Sequence, residues 1–194
     1  MKKSPKTKPK TTTKRIFSNE DYNSKDGMLT SVWGPIFWFF LHTMSFNYPI
    51  HPTDMQKKAY RNYMLNLKNV LPCGKCRNNL KENYKKLPLK MCHMRNRDSF
   101  SKYVYDLHEL VNDMLDKKSG LTYDQVRERY EHFRSRCTRT KREILKKRRT
   151  AKREKGCTEP LVGEKSKCIL KIVPEKTKCE SFTVDKKCVK KKLE

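Results

Sequence analysis

Between Phe100 and Leu115, the apolar residues Phe100, Tyr103, Val104, Leu107, Val111, Met114 and Leu115 recur at steps of three and four. That period places them along one face of an α-helix and excludes a strand, whose side chains alternate every second residue. A helix with one apolar stripe has to bury it. No segment before residue 160 alternates convincingly enough to offer a sheet, so the partners must be other helices. Two capping boxes support this. Thr53 with Gln56 opens a helix running to about Val70, and Thr122 with Gln125 opens a short one through Val126, Tyr130 and Phe133. Gly34-Pro35 is expected to start an apolar helix through Trp38, Phe39, Leu41, His42 and Phe46 that stops before Pro49. Pro72 breaks the next helix, a third begins at the Cys73–Cys76 pair and ends before Pro88, and Gly120 closes the fourth. The expected fold is all-α: a four-helix bundle plus a short fifth helix, with basic N- and C-terminal extensions.

The chain's 194 residues suffice for one core with tails, and 35% charged residues leave little for a second. Residues 1–25, rich in Lys, Thr, Ser and Pro, read as a disordered basic tail. Residues 26–137 form the domain, 138–156 a basic linker or helix, and 157–194 a cysteine-bearing basic extension. The net charge is +26, and residues 138–194 hold twenty Lys/Arg against eight acids. Basic tails of this kind suit contact with polyanions, and equally a solvated surface. The N-terminal "MKKSPKTKPKTTTKR" lacks the apolar core of a secretory leader. The run "VWGPIFWFFLHTM" is too short to span a bilayer. A cytoplasmic protein with no transmembrane segment is expected.

The eight cysteines are unexpected in such a chain and point to redox chemistry or metal. Cys73 and Cys76 are separated by two residues. With Cys92 and His93 they would supply zinc-like donors, although adjacent Cys92 and His93 are hard to place on one ion. At a helix N-terminus, with Lys75 and Arg77 beside them, the same two sulfurs would be stabilised as thiolates fit for disulfide exchange. On the pair alone zinc, redox and incidental thiols all stay open. Elsewhere, Trp38 and His42 stand four residues apart on one helix, and His108 and Asn112 four apart on another. Two polar-aromatic faces with a dithiol between them in sequence suit a slot for a flat heteroaromatic cofactor.

"WFFLHTMSFNYP" (Trp38 to Pro49), "CGKC" (Cys73 to Cys76) and "HELVN" (His108 to Asn112) resemble, in order and spacing, the Erv/ALR family of FAD-dependent sulfhydryl oxidases. The resemblance covers about residues 30–137. "WGP" (Trp33, Gly34, Pro35) is similar to members encoded by large cytoplasmic DNA viruses, which makes a viral origin, and a place in the host cytoplasm or the virion, part of the expectation. It implies a flavin-linked thiol oxidase that passes electrons from dithiols through a Cys73–Cys76 redox disulfide to FAD and then O2, giving H2O2. Cys76 would face the flavin and Cys73 would meet the substrate. The cofactor-binding set implied is Gly34, Trp38, His42, Tyr48, His108, Val111, Asn112, Lys117 and Tyr130, with no metal. A dithiol protein or thioredoxin-like substrate and a homodimer are implied as partners.

The chain departs from the family pattern in places. Glu109 stands where the family has an asparagine, and Pro35 where it often has an arginine. Tyr105 and about Thr122 stand where the family carries a structural disulfide, and no shuttle cysteines precede the domain. The alternative is a non-catalytic nucleic-acid-binding or scaffold protein stapled by zinc, with basic tails. The pairing of the other six cysteines is not legible, since even four allow three connectivities.

Overall fold

A computed structural model describes residues 16–137, 156–180 and 182–191. The basic run expected to form a linker or helix, and residues 1–15 of the N-terminal tail, lie outside the described residues. The elements in chain order are α1 (Asn19–Tyr22), α2 (Thr30–Phe46), α3 (Asp54–Val70), α4 (Gly74–Lys86), α5 (Arg97–Met114) and α6 (Tyr123–Glu131). A 3₁₀ turn at Met91–Met94 joins α4 to α5, and another spans Lys186–Cys188. No strand occurs among the described residues, so the expected all-α class holds. The four long helices are α2 to α5, and α6 is the short fifth. α1 is a single exposed turn capped by Ser18. It lies in the segment read as disordered and buries nothing.

α2 packs on α5, α3 on α4, and α6 closes over α2. The centre is filled by Leu41, Met64, Leu67, Phe100, Val104 and Leu107. The stripe read from residues 100–115 is the core face of α5 as far as Leu107; Val111 is half-buried, and Met114 and Leu115 are exposed. Both capping boxes form as expected: Thr53 accepts from the Gln56 N–H and Thr122 from the Gln125 N–H, with each glutamine returning a bond to its cap backbone.

Two boundaries differ from expectation for physical reasons. α2 begins at Thr30, so Pro35 lies inside it rather than at its start. A proline there forfeits one hydrogen bond, to the carbonyl of Ser31, which is exposed and can be solvated. The Trp33 indole N–H donates to the Met28 carbonyl at 3.0 Å and fastens the early start. At the other end, α5 stops at Leu115 before Gly120 is reached, because Asp116 takes a left-handed conformation with φ 53°. Aspartate tolerates that region better than most side chains. Where the family would carry its structural disulfide, the Tyr105 hydroxyl donates to the Leu121 carbonyl at 2.7 Å, so a hydrogen bond ties α5 to the α6 approach.

The C-terminal extension docks on the core. Ser135 and Pro160 form an antiparallel bridge, Arg136 N–H donates to the Glu159 carbonyl at 2.8 Å, and Cys137 is disulfide-bonded to Cys157. Cys92, Cys168, Cys179 and Cys188 are free thiols.

Candidate functional site

Cys73 is the N-cap of α4 and is disulfide-bonded to Cys76, one helical turn along. Pro72 ends the preceding segment, and the non-helical backbone at Cys73 lets its sulfur accept from the Cys76 N–H at 3.2 Å. The first-turn amides and the positive end of α4 therefore face the sulfurs, which favours a thiolate once the bond is reduced. Arg77 adds charge at the same turn, with Nη1 donating to the Leu71 carbonyl. The chain before α2 crosses this end. Met28 N–H donates to the Pro72 carbonyl at 2.9 Å, and a Cβ on Gly27 would stand 3.3 Å from the Cys73 Cα. Of the two sulfurs, Cys76 is the inner one: it packs against the core cluster, and its Sγ lies 3.7 Å from the Thr30 hydroxyl of α2.

Thr30 opens a polar-aromatic stripe along α2. Thr30, Gly34, Trp38 and His42 follow at four-residue steps and share one face. The stretch from Thr30 to Trp38 spans about 12 Å of helix. Gly34 is the bare point on it, since a Cβ there would meet only the Thr30 methyl, at 3.6 Å. At the far end the rings assemble. Trp38 stacks on His108 of α5 at 4.0 Å and 8°. His42 Nε2 and His108 Nδ1 are hydrogen-bonded at 2.9 Å. Tyr130 of α6 packs on His42 and on Phe46, at 5.3 Å in each case.

Two features make this cluster unlike ordinary core. His42 is buried, yet its Nδ1 has no hydrogen-bond partner, one of two such side-chain atoms among the described residues. An orphaned buried polar atom costs roughly 1–3 kcal/mol, so a site that keeps one is built for something to meet it. Both rings are also held neutral. Burial first, and then the neighbouring His108, lowers His42 to about 3. Burial lowers His108 to about 4, with Glu109 pulling weakly the other way.

The sign of the pH dependence follows. Unfolded histidine titrates near 6.5, so below that pH the unfolded chain binds protons that the folded rings refuse. The stability due to the neutral rings is complete above pH 6.5 and is lost as pH falls towards 4 and 3. For His42 the loss is about 2 kcal/mol by pH 5. Urea unfolding of the protein at pH 7 and pH 5 should show it, and His42→Gln should reduce the difference. An unchanged slope in that variant would refute the burial account.

The site residues expected from sequence divide into two groups. Trp38, His42, His108 and Tyr130 come together, and Gly34 lies on the same stripe. Val111 and Asn112 follow on α5, where the Asn112 amide donates to Glu109 Oε1 at 3.0 Å and Ser119 donates to Glu109 Oε2 at 3.0 Å. Glu109, in place of the family's asparagine, thus binds its own neighbours. Tyr48 does not join the cluster. It is fully buried against Tyr60 and Phe100, with its hydroxyl donating to the Met94 carbonyl at 3.0 Å, which makes it a core residue. Lys117 is exposed beyond the end of α5, its backbone N–H donating to the Asn112 carbonyl at 2.9 Å. Trp38 and His108 stack directly on each other, which leaves no gap between these two rings.

The zinc alternative does not assemble. Cys73 and Cys76 bond each other, Cys92 is exposed, and His93 Nδ1 accepts from the Lys90 N–H at 3.0 Å. No group of three metal-ligating side chains occurs among the described residues. One polar residue was missed by sequence. Asn83 lies two turns beyond Cys76 on the inner face of α4, is buried, and its Nδ2 has no partner. The signal was present in the step from Cys76 through Leu80 to Asn83, which puts an amide on an apolar face. A cavity of about 620 Å³ lies elsewhere, between α6 and the extension, lined by Glu128, Glu131, His132, Leu161, Val162, Lys190 and Lys191. It includes none of the expected residues.

The sequence profile of the Erv1 / Alr family matches residues 35–131. R368 of Acanthamoeba polyphaga mimivirus, named a probable FAD-linked sulfhydryl oxidase, is 37% identical over 99 residues, covering 51% of this chain and 68% of that protein. The FAD-linked sulfhydryl oxidase of African swine fever virus (isolate Pig/Kenya/KEN-50/1950) is 31% identical over 86 residues, covering 44% of this chain and 70% of that protein. Among solved structures, the yeast Erv1 core superposes with a TM-score of 0.49 at 19% identity, over 62% of this chain and 94% of that one. No helix among the described residues is long and apolar enough to cross a membrane. The matched span takes in the helix with Trp38 and His42, the α4 dithiol and the α5 stripe, and on that match the chain belongs to the Erv1 / Alr family.

Proposed function

We propose that this chain is an FAD-dependent sulfhydryl oxidase that forms disulfides in a dithiol protein substrate. One observation carries the proposal: the unpartnered, buried His42 Nδ1 lies on the same α2 stripe that touches the Cys76 sulfur at Thr30. Trp38, His42, His108 and Tyr130 would hold the cofactor, with Gly34 leaving room along the helix and Val111 and Asn112 flanking it. The neutral imidazole of His42 can donate or accept at Nδ1, according to its tautomer, and so can meet a polar ring edge.

The chain's own part is thiol chemistry. A substrate thiolate attacks the Cys73 sulfur, the Cys73–Cys76 bond breaks, and Cys76 leaves as the thiolate that the α4 amides stabilise. A second substrate thiolate attacks the mixed disulfide at the substrate sulfur. The substrate is now oxidised, and both cysteines are reduced. The packing supports these roles: both cysteines are half-buried, but Cys76 packs against the core cluster while Cys73 is the N-cap of α4. Bound FAD would accept the two electrons of the dithiol and deliver them to O2, giving H2O2.

Purified protein should be yellow and should consume O2 with a small dithiol, releasing one H2O2 per disulfide formed. A colourless protein that takes up no FAD on reconstitution would end the proposal.

A homodimer through α2 and α3 is part of the same reading. Phe39 packs within the chain on Tyr130 and Phe133, and Phe37 packs on Trp33. Ile36 and Phe40 remain 43% and 50% exposed on α2, which leaves an apolar strip for a second copy. Phe40→Glu should yield monomers by light scattering; an unaltered mass would remove α2 from the interface.

A further inference from the structure

The C-terminal extension, residues 156–191, meets the core beside the cofactor residues. Four kinds of attachment hold it. The bridge at Ser135 and Pro160 is backed by Leu161 N–H donating to the Arg134 carbonyl at 3.0 Å and by Arg136 Nη2 donating to the Leu161 carbonyl at 2.7 Å. The Cys137–Cys157 disulfide closes a loop twenty residues long and keeps the extension near α6 even when other contacts open. Lys190 N–H donates to His132 Nδ1 at 3.2 Å. Phe182 packs on Phe39 at 5.6 Å and on Phe133 at 5.9 Å.

That last contact leads inward. Phe39 and Phe133 both touch Tyr130, at 5.7 and 5.9 Å, and Tyr130 packs on His42 at 5.3 Å. Two rings, in a chain of three contacts, therefore separate Phe182 from the imidazole with the unpartnered nitrogen. The extension is also braced within itself. Gly163 has φ 73°, Glu164 N–H donates to the Lys187 carbonyl at 2.8 Å, and a Cβ on Gly163 would stand 2.6 Å from the Lys187 carbonyl oxygen. Only glycine fits there, so residues 163 and 187 are held together on either side of Phe182.

We propose that the extension is a strap completing the cofactor cleft from outside, with Phe182 as its positioning residue and the Cys137–Cys157 disulfide as its covalent anchor. Phe182 touches no cofactor atom in this assignment. It holds Phe39 and Phe133 against Tyr130, and so fixes the ring that backs His42. The proposal rests on the FAD reading above.

The test uses the full chain freed of flavin and titrated with FAD, read by flavin fluorescence, with the thermal midpoint of each flavin-free form as control. Phe182→Ala should raise the FAD dissociation constant roughly tenfold or more and leave that midpoint within about two degrees of the parent. Phe182→Tyr, which keeps the ring, should bind within about twofold of the parent. Gly163→Val should reproduce the loss without altering any ring. Equal FAD affinity in the parent and Phe182→Ala overturns the strap while leaving the oxidase reading intact. So does an affinity loss accompanied by a matching fall in the flavin-free midpoint, since Phe182 would then be a stabiliser only. A parent chain that binds no FAD overturns the oxidase reading, and the strap with it.

Discussion

Cys76→Ser leaves a folded protein that still takes up flavin but oxidises dithiols slower by roughly a thousandfold or more. The expectation follows from where the sulfur is. Cys76 lies in the first turn of α4, packed inward near Thr30, and serine at that position keeps the helix and nearly the same volume. What serine cannot do is leave as a stabilised anion when Cys73 is attacked, or form the internal disulfide at all. Nothing in the α2–α5 ring cluster depends on that sulfur, so flavin content should stay near the parent level. Flavin loss in Cys76→Ser would mean that the sulfur holds the site together rather than serving it. Retained turnover would mean that another thiol, among Cys92, Cys168, Cys179 and Cys188, does the work.

Gly34→Val should lower FAD affinity by roughly a hundredfold while leaving helix content unchanged. Valine is no worse than glycine inside a helix, so the substitution does not act by unwinding α2. It acts by filling the bare strip between Thr30, which touches Cys76, and Trp38, which stacks on His108. Overfilling a fitted space typically costs about 1–3 kcal/mol, in line with that change in affinity. Gly34→Ala is the control: its Cβ makes an ordinary 3.6 Å contact with the Thr30 methyl and should lose much less. FAD titration of both variants settles the matter, and equal affinity in all three proteins would show that the strip is not where the cofactor lies.

The bundle was legible because its determinants are local. The α5 stripe and the boxes at Thr53–Gln56 and Thr122–Gln125 are each written within a few residues; both boxes formed as read, and the stripe is buried from Phe100 to Leu107. The two misplaced ends were decided by contacts that sequence spacing does not carry: an indole reaching back to Met28, and an aspartate accepting a left-handed backbone. The site shows the same division. Trp38, His42 and His108 could be singled out because the pairs Trp38/His42 and His108/Asn112 each lie on one helix face, and the fold brings the three rings together. The surroundings of Tyr48 were not legible, because only the fold shows that it packs on Tyr60 and Phe100 and donates to the Met94 carbonyl. The docking of the extension was invisible for a related reason. Phe39 and Phe182 meet across 143 residues, and no periodicity links them.

The claim under all of this is that one particular sulfur stands against the bound flavin. The visible spectrum of FAD-loaded Cys73→Ser tests it most directly, because that variant leaves Cys76 unpaired at the positive end of α4. A broad long-wavelength thiolate-to-flavin band at neutral pH, fading on acidification and missing from Cys73→Ser/Cys76→Ser, is the predicted result. Identical spectra for the single and double variants would contradict the account.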